Sequence, residues 1–122
     1  MKNFLIAANW KMNGDKNFAI EFLREFQRFL RDSKDLDEII ILPPHILLDC
    51  VFESISEDGL CLGSQDVSII SNDYGAYTGE ISAKMLSEIG CKYCLIGHSE
   101  RRKIFHENKE IIHLKINNVI KN

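Results

Sequence analysis

Residues 94–102 read CLIGHSERR. An apolar run, Cys94-Leu95-Ile96-Gly97, stops abruptly at a histidine, a serine, a glutamate and two arginines. The run is one of four. FLIAA (4–8), EIIIL (38–42), LCLGS (60–64) and YCLIG (93–97) are continuous rather than alternating, the pattern of strands covered on both faces. Helical patterns separate them. Residues 17–31, NFAIEFLREFQRFLR, set Ala19, Phe22, Phe26, Phe29 and Leu30 on one stripe, with Glu21, Arg24 and Arg28 opposite. Pro43-Pro44 closes the second strand, Pro44 suits a first helical turn, and HILLDCVFESI follows. Ser82 caps a short helix over 83–89 that Gly90 ends. Residues 108–121 form a last amphipathic helix with Ile112, Ile116, Val119 and Ile120 inward.

The order βαβαβαβα predicts an α/β fold with a parallel sheet and right-handed crossovers. Four βα units make an open half, since a closed barrel takes eight units and about 250 residues. No linker, repeat or low-complexity tract interrupts them, so residues 1–122 are expected to form a single domain. In such folds ligand chemistry gathers at the carboxyl ends of the strands. Strand one ends in Asn9-Trp10-Lys11 and strand four in His98-Ser99-Glu100, so both load the same mouth with polar groups.

Composition narrows the function. The net charge is −3, which argues against nucleic-acid and membrane-surface partners, because these want a basic patch. No apolar run approaches the roughly 20 residues of a membrane span, and the N-terminus lacks a signal-peptide pattern. A cytoplasmic location is expected. Cys91 and Cys94 form a lone C-x-x-C, a weak zinc signal, and the four cysteines read as small buried hydrophobes. No metal and no cofactor is expected.

The stretches AANWKMN (7–13), GAYTGEIS (75–82) and LIGHSERR (95–102), with LPP (42–44) and GSQDVS (63–68), closely resemble the triosephosphate isomerase family. The resemblance covers essentially the whole chain but only the first half of the family's. It implies the first four βα units of a TIM (β/α)8 barrel. It also implies a cofactor-free enzyme of glycolysis and gluconeogenesis that interconverts dihydroxyacetone phosphate and D-glyceraldehyde 3-phosphate by proton transfer. Asn9 and Lys11 then contact the substrate, and His98 is the catalytic electrophile that polarises the carbonyl and shuttles a proton. That family is itself a standard example of a neutral catalytic imidazole, and Ser99-Glu100-Arg101 is suited to begin a helix with N–H groups near the ring. Ser99 and Glu100 support the site.

Stabilising an oxyanion calls for a cation and an N–H donor, here Lys11 and His98. Taking a carbon-bound proton calls for a carboxylate base. In the family that base is a glutamate after strand six, and later loops hold the phosphate. Neither lies in this sequence, and Glu100 resembles the supporting glutamate, so the chain alone is expected to be inactive. The family is homodimeric. Its third loop docks into the partner subunit, which makes Thr78, Gln65, Glu80 and Arg101 expected dimer contacts. His45, His106 and His113 match no catalytic pattern and read as surface residues. The ending NNVIKN reads as a cut rather than a redesigned end. The alternative function is a non-catalytic half-barrel that binds a protein or a small anion.

Overall fold

The computed structural model describes residues 4–31 and 38–122, so residues 1–3 and 32–37 of the expected single domain lie outside it. Four strands pair in parallel in the order β1 (Ile6–Asn9), β2 (Ile39–Leu42), β3 (Leu60–Ser64), β4 (Cys91–Cys94). The helices are α1 (Lys16–Arg31), α2 (Leu48–Ser54, entered through a 3-10 turn at His45–Leu47), α3 (Ala83–Glu88), α4 (Ser99–Lys103) and α5 (Lys109–Ile120). Consecutive parallel strands joined through helices are the architecture expected from the alternating order. The segment after β4 supplies two helices rather than one.

β2 and β3 are buried along their whole length, which explains why they are apolar up to the one buried serine, Ser64, that ends β3. β1 and β4 are the edges, and β1 begins with exposed residues. One face of the sheet carries Ile39, Ile41, Leu60 and Leu62, packed with Ala19 and Leu23 of α1, Leu48 and Val51 of α2, and Ala83 and Leu86 of α3. The other face is tight around Gly63. A Cβ there would meet Leu42 at 2.5 Å and Ile40 at 2.9 Å, and the β3–β4 register shifts between Leu62 and Gly63. At the foot of this face Glu38 accepts hydrogen bonds from Cys61 Sγ (2.9 Å) and Tyr93 OH (2.6 Å), which hold its carboxyl below the ordinary range.

Helix ends follow local chemistry. Asp15 Oδ1 accepts from Phe18 N at 2.9 Å, Ser82 Oγ from Met85 N at 3.2 Å, and Asn108 Oδ1 from Ile111 N at 3.0 Å. Gly90, at φ +104°, follows α3 in the left-handed region that ends helices.

Four expectations need correction. Phe29 is 65% exposed, and Leu23 and Gln27 take the buried centre of α1. Gln27 is tolerated there because its amide donates to Leu23 O and Ser54 O while its Oε1 accepts from Ser56 N and Glu57 N. α5 buries Lys115 and Asn118 rather than Ile116 and Ile120, which are exposed. Asn118 Nδ2 donates to Ser68 O and Ile70 O, and Lys115 lies between carboxylates, so partners from distant loops outrank the apolar stripe. β4 ends at Cys94, not at residue 97. Leu95 N still bonds Ser64 O at 2.8 Å, but Gly97 then turns left-handed at φ +69°. His98 therefore caps α4 instead of sitting on a strand tip. His45 is half-buried, and its Nε2 lies 3.0 Å from Asp66 O, so it is no surface residue.

Candidate active site

β1 delivers Asn9 to the carboxyl end of the sheet, where Trp10 N still bonds Leu42 O at 3.0 Å. The chain then reverses sharply. Lys11 has φ +56°, an uncommon conformation for a side-chain-bearing residue, and its N–H is taken by Asn9 Oδ1 at 2.9 Å. Gln65 Nε2 donates to both Lys11 O and Leu42 O, each at 2.8 Å. A side chain from the β3 end thus braces this turn, and such strain persists only where surroundings hold it. The turn sends the Lys11 ammonium across the mouth to Glu100 Oε1 at 2.8 Å.

His98 arrives from the opposite edge. Its ring folds back over the first turn of α4, so that Nδ1 accepts from Glu100 N at 3.1 Å. An accepting Nδ1 carries no proton, which leaves the ring proton on Nε2. The Glu100 carboxylate also lies 3.6 Å from Nδ1, too far for a hydrogen bond that would compete with the backbone donor. Glu100 itself is held below the ordinary carboxylate range, first by its hydrogen bond from Lys11. Asn9, Lys11, His45, Gln65, His98 and Glu100 line one cavity of about 340 Å³. It presents a cation, a ring N–H and amide groups together, an arrangement suited to an anionic, carbonyl-bearing ligand.

The expected site residues therefore divide. Asn9, Lys11, His98 and Glu100 come together. Ser99 opens α4 and is exposed, and Thr78 is exposed in the 75–82 loop. Gln65 and Arg101 are engaged within the chain, Gln65 as the brace above and Arg101 with Glu107 (2.8 Å) and Asp66 (3.3 Å). Glu80 accepts from Ser68 Oγ. Sequence reasoning missed His45, Asp66, Glu107 and Lys115. Asp66 stood inside a quoted motif without a role, and nothing local marks the other three. Cys91 is pushed up to about 12 by burial and then by Cys94, so it stays a protonated thiol.

The family model for triosephosphate isomerase matches residues 4–122. The triosephosphate isomerase of Stenotrophomonas maltophilia is 44% identical over 112 residues, covering 92% of this chain and 43% of that protein. That of Chloroherpeton thalassium is 40% identical over 120 residues, covering 98% and 47%. The crystal structure of triosephosphate isomerase from Bartonella henselae superposes with a TM-score of 0.79 at 38% identity, covering 96% of this chain and 47% of that one. The chain thus spans less than half the length of the relatives it matches.

Proposed function

The chain belongs to the triosephosphate isomerase family, and from that premise we propose that its mouth is one half of an aldose–ketose isomerase site for triose phosphates. The substrates are dihydroxyacetone phosphate and D-glyceraldehyde 3-phosphate, and the reaction serves glycolysis and gluconeogenesis in the cytoplasm. Residues 1–122 form one domain that contributes four of eight βα units. Asn9 and Lys11 bind the substrate. The Lys11 cation and the Nε2–H of His98 stabilise the oxyanion that develops when a proton leaves the carbon beside the carbonyl. His98 then moves a proton between the two substrate oxygens. No cofactor takes part, since only protons move. In the complete fold the 75–82 loop, with Thr78 and Glu80, engages a second subunit near Gln65 and Arg101.

The observation that carries this reading is the 3.1 Å bond from Glu100 N to His98 Nδ1. It favours the tautomer with a donor at Nε2, in a cavity that the Lys11 ammonium also lines. Among the described residues the carboxylates that line the mouth are both engaged. Glu100 is committed to Lys11, and Asp66 to Lys115 and Arg101. The chain alone is therefore expected to bind substrate weakly and not to turn it over. Mixing it with a family C-terminal half, strands five to eight, is expected to restore turnover that rises with concentration, because association costs about 4–15 kcal/mol. A well-formed complex without turnover would favour the second reading, a non-catalytic half-barrel.

A further inference from the structure

An ionic cluster that the proposed chemistry does not use adjoins the mouth and shares Asp66 and Arg101 with its lining. Lys115, only 4% exposed, donates to Asp66 Oδ1 at 2.6 Å and to Glu107 Oε1. Arg101 Nε shares that Glu107 oxygen at 2.8 Å and lies 3.3 Å from Asp66 Oδ2. Two carboxylates and two cations make the cluster formally neutral. Glu107 is 7% exposed, and its other oxygen, Oε2, is buried with no partner among the described residues.

Such a cluster is weak evidence for stability, because desolvating its charges offsets most of their attraction. A methionine at 115 would fill the same slot on α5. What the ions do is anchor α4. That helix has five residues, too few to hold itself in place. Arg101 is its tether to Asp66 and Glu107, and Glu107 N–H also bonds Arg101 O at 3.1 Å. The residue before Arg101 supplies the two contacts that shape the mouth. One is the Glu100 N–H on His98 Nδ1, and the other is the Glu100 carboxylate on Lys11.

We propose that Lys115 is a positioning residue for His98: by neutralising Asp66 and Glu107 it lets both hold Arg101, and Arg101 holds the α4 terminus that orients the imidazole. Without the ammonium the cluster carries one net negative charge in buried surroundings. Either Glu107 takes up a proton or Arg101 swings toward one carboxylate, and both loosen α4. The functional meaning rests on the reading of His98 given above. The structural coupling does not, so the test below requires no turnover.

The experiment is acylation of individual histidines by diethyl pyrocarbonate in the 122-residue chain, followed by mass spectrometry. The reagent acylates an imidazole nitrogen with a free lone pair and expels ethyl carbonate. Held as described, His98 offers none, because Nδ1 accepts and Nε2 is protonated. Exposed His113 is the internal standard. In Lys115→Met the His98:His113 rate ratio is expected to rise about tenfold, equivalent to losing about 1.4 kcal/mol of hydrogen bonding. Lys115→Arg should keep the low ratio. The neutral double variant Lys115→Met/Glu107→Gln should return toward it, because one carboxylate then faces one guanidinium. An unchanged ratio in Lys115→Met with intact far-ultraviolet dichroism overturns the proposal. Should Lys115→Met fail to fold, the double variant decides: a low ratio supports the coupling, and a raised ratio in a folded double variant overturns it.

Discussion

Lys11 and Glu100 meet at 2.8 Å across the mouth, joining the turn after the first strand to the helix after the fourth. Glu100 also gives its backbone N–H to His98. One residue therefore binds the cation of the site through its side chain and orients the imidazole through its backbone.

The two side chains that would face substrate should dominate turnover. In a barrel completed with a family C-terminal half, Lys11→Ala and His98→Gln are each expected to lower kcat by about 10²–10³-fold, the usual effect of removing one donor to an oxyanion. His113→Gln, on the exposed side of α5, should leave it unchanged. Steady-state rates in matched complexes check this, and equal rates for His98→Gln and His113→Gln would remove the catalytic assignment.

Gln27 should matter more than any apolar neighbour of its size on the surface. Replacing it with Leu leaves Ser54 O and the N–H groups of Ser56 and Glu57 without the partner they have now. The expected loss is about 1–3 kcal/mol of unfolding free energy, because Ser54 and Glu57 are half-buried while water reaches exposed Ser56. Urea titration measures it, and a change under 0.5 kcal/mol, the range of ordinary surface substitutions, would contradict the buried role.

Acid should attack the ionic cluster. Burial pushes Glu107 up, but hydrogen bonds from Lys115 and Arg101 outweigh it, so its folded value lies below the ordinary one. The folded chain then binds this proton less readily than the unfolded chain. The stability it contributes is complete above about pH 4.3, the unperturbed glutamate value, and is lost as pH falls through the lower folded value. Glu107→Gln should flatten that acid limb. Denaturant midpoints measured between about pH 3 and pH 6 test the slope.

The sheet edges predict self-association. Among the described residues β1 and β4 each have a strand on one side only, and Leu5 and Ile6 at the β1 edge are 56% and 46% exposed. Open parallel edges with apolar flanks recruit other strands. Light scattering should find mass rising with concentration for the chain alone. A monodisperse monomer at about 100 μM would count against this.

Much of the architecture was legible in the residue order. Strands buried on both faces favour apolar residues, and Ile39–Leu42 and Leu60–Leu62 appear as unbroken runs for that reason. Helix ends were legible too, because Ser82 bonds a backbone N–H three residues away and Gly90 supplies a left-handed turn, both short-range effects. The residues of the mouth were marked by where apolar runs stop and by the motifs around them. Their assembly was not, because Lys11, Gln65 and Glu100 meet only once the parallel strands stand side by side.

Tertiary structure alone decided the rest. No periodicity predicts that Lys115 and Asn118 go inward while Ile116 and Ile120 stay out. Their partners lie 49, 50 and 48 positions away in sequence, at Asp66, Ser68 and Ile70, and burial of a charge or an amide is favourable only where such partners wait. The end of β4 depends on pairing with β3, whose register shifts at Gly63, so the apolar run to residue 97 overstated the strand. His98 consequently caps a helix. The sequence by itself marked Asn9, Lys11, His98 and Glu100 as candidates for the mouth, but not His45 or Asp66, which line it too. The meeting of distant loops decided which way the imidazole faces, because a hydrogen bond or ion pair acts only at contact distance, and only the folded chain sets that distance.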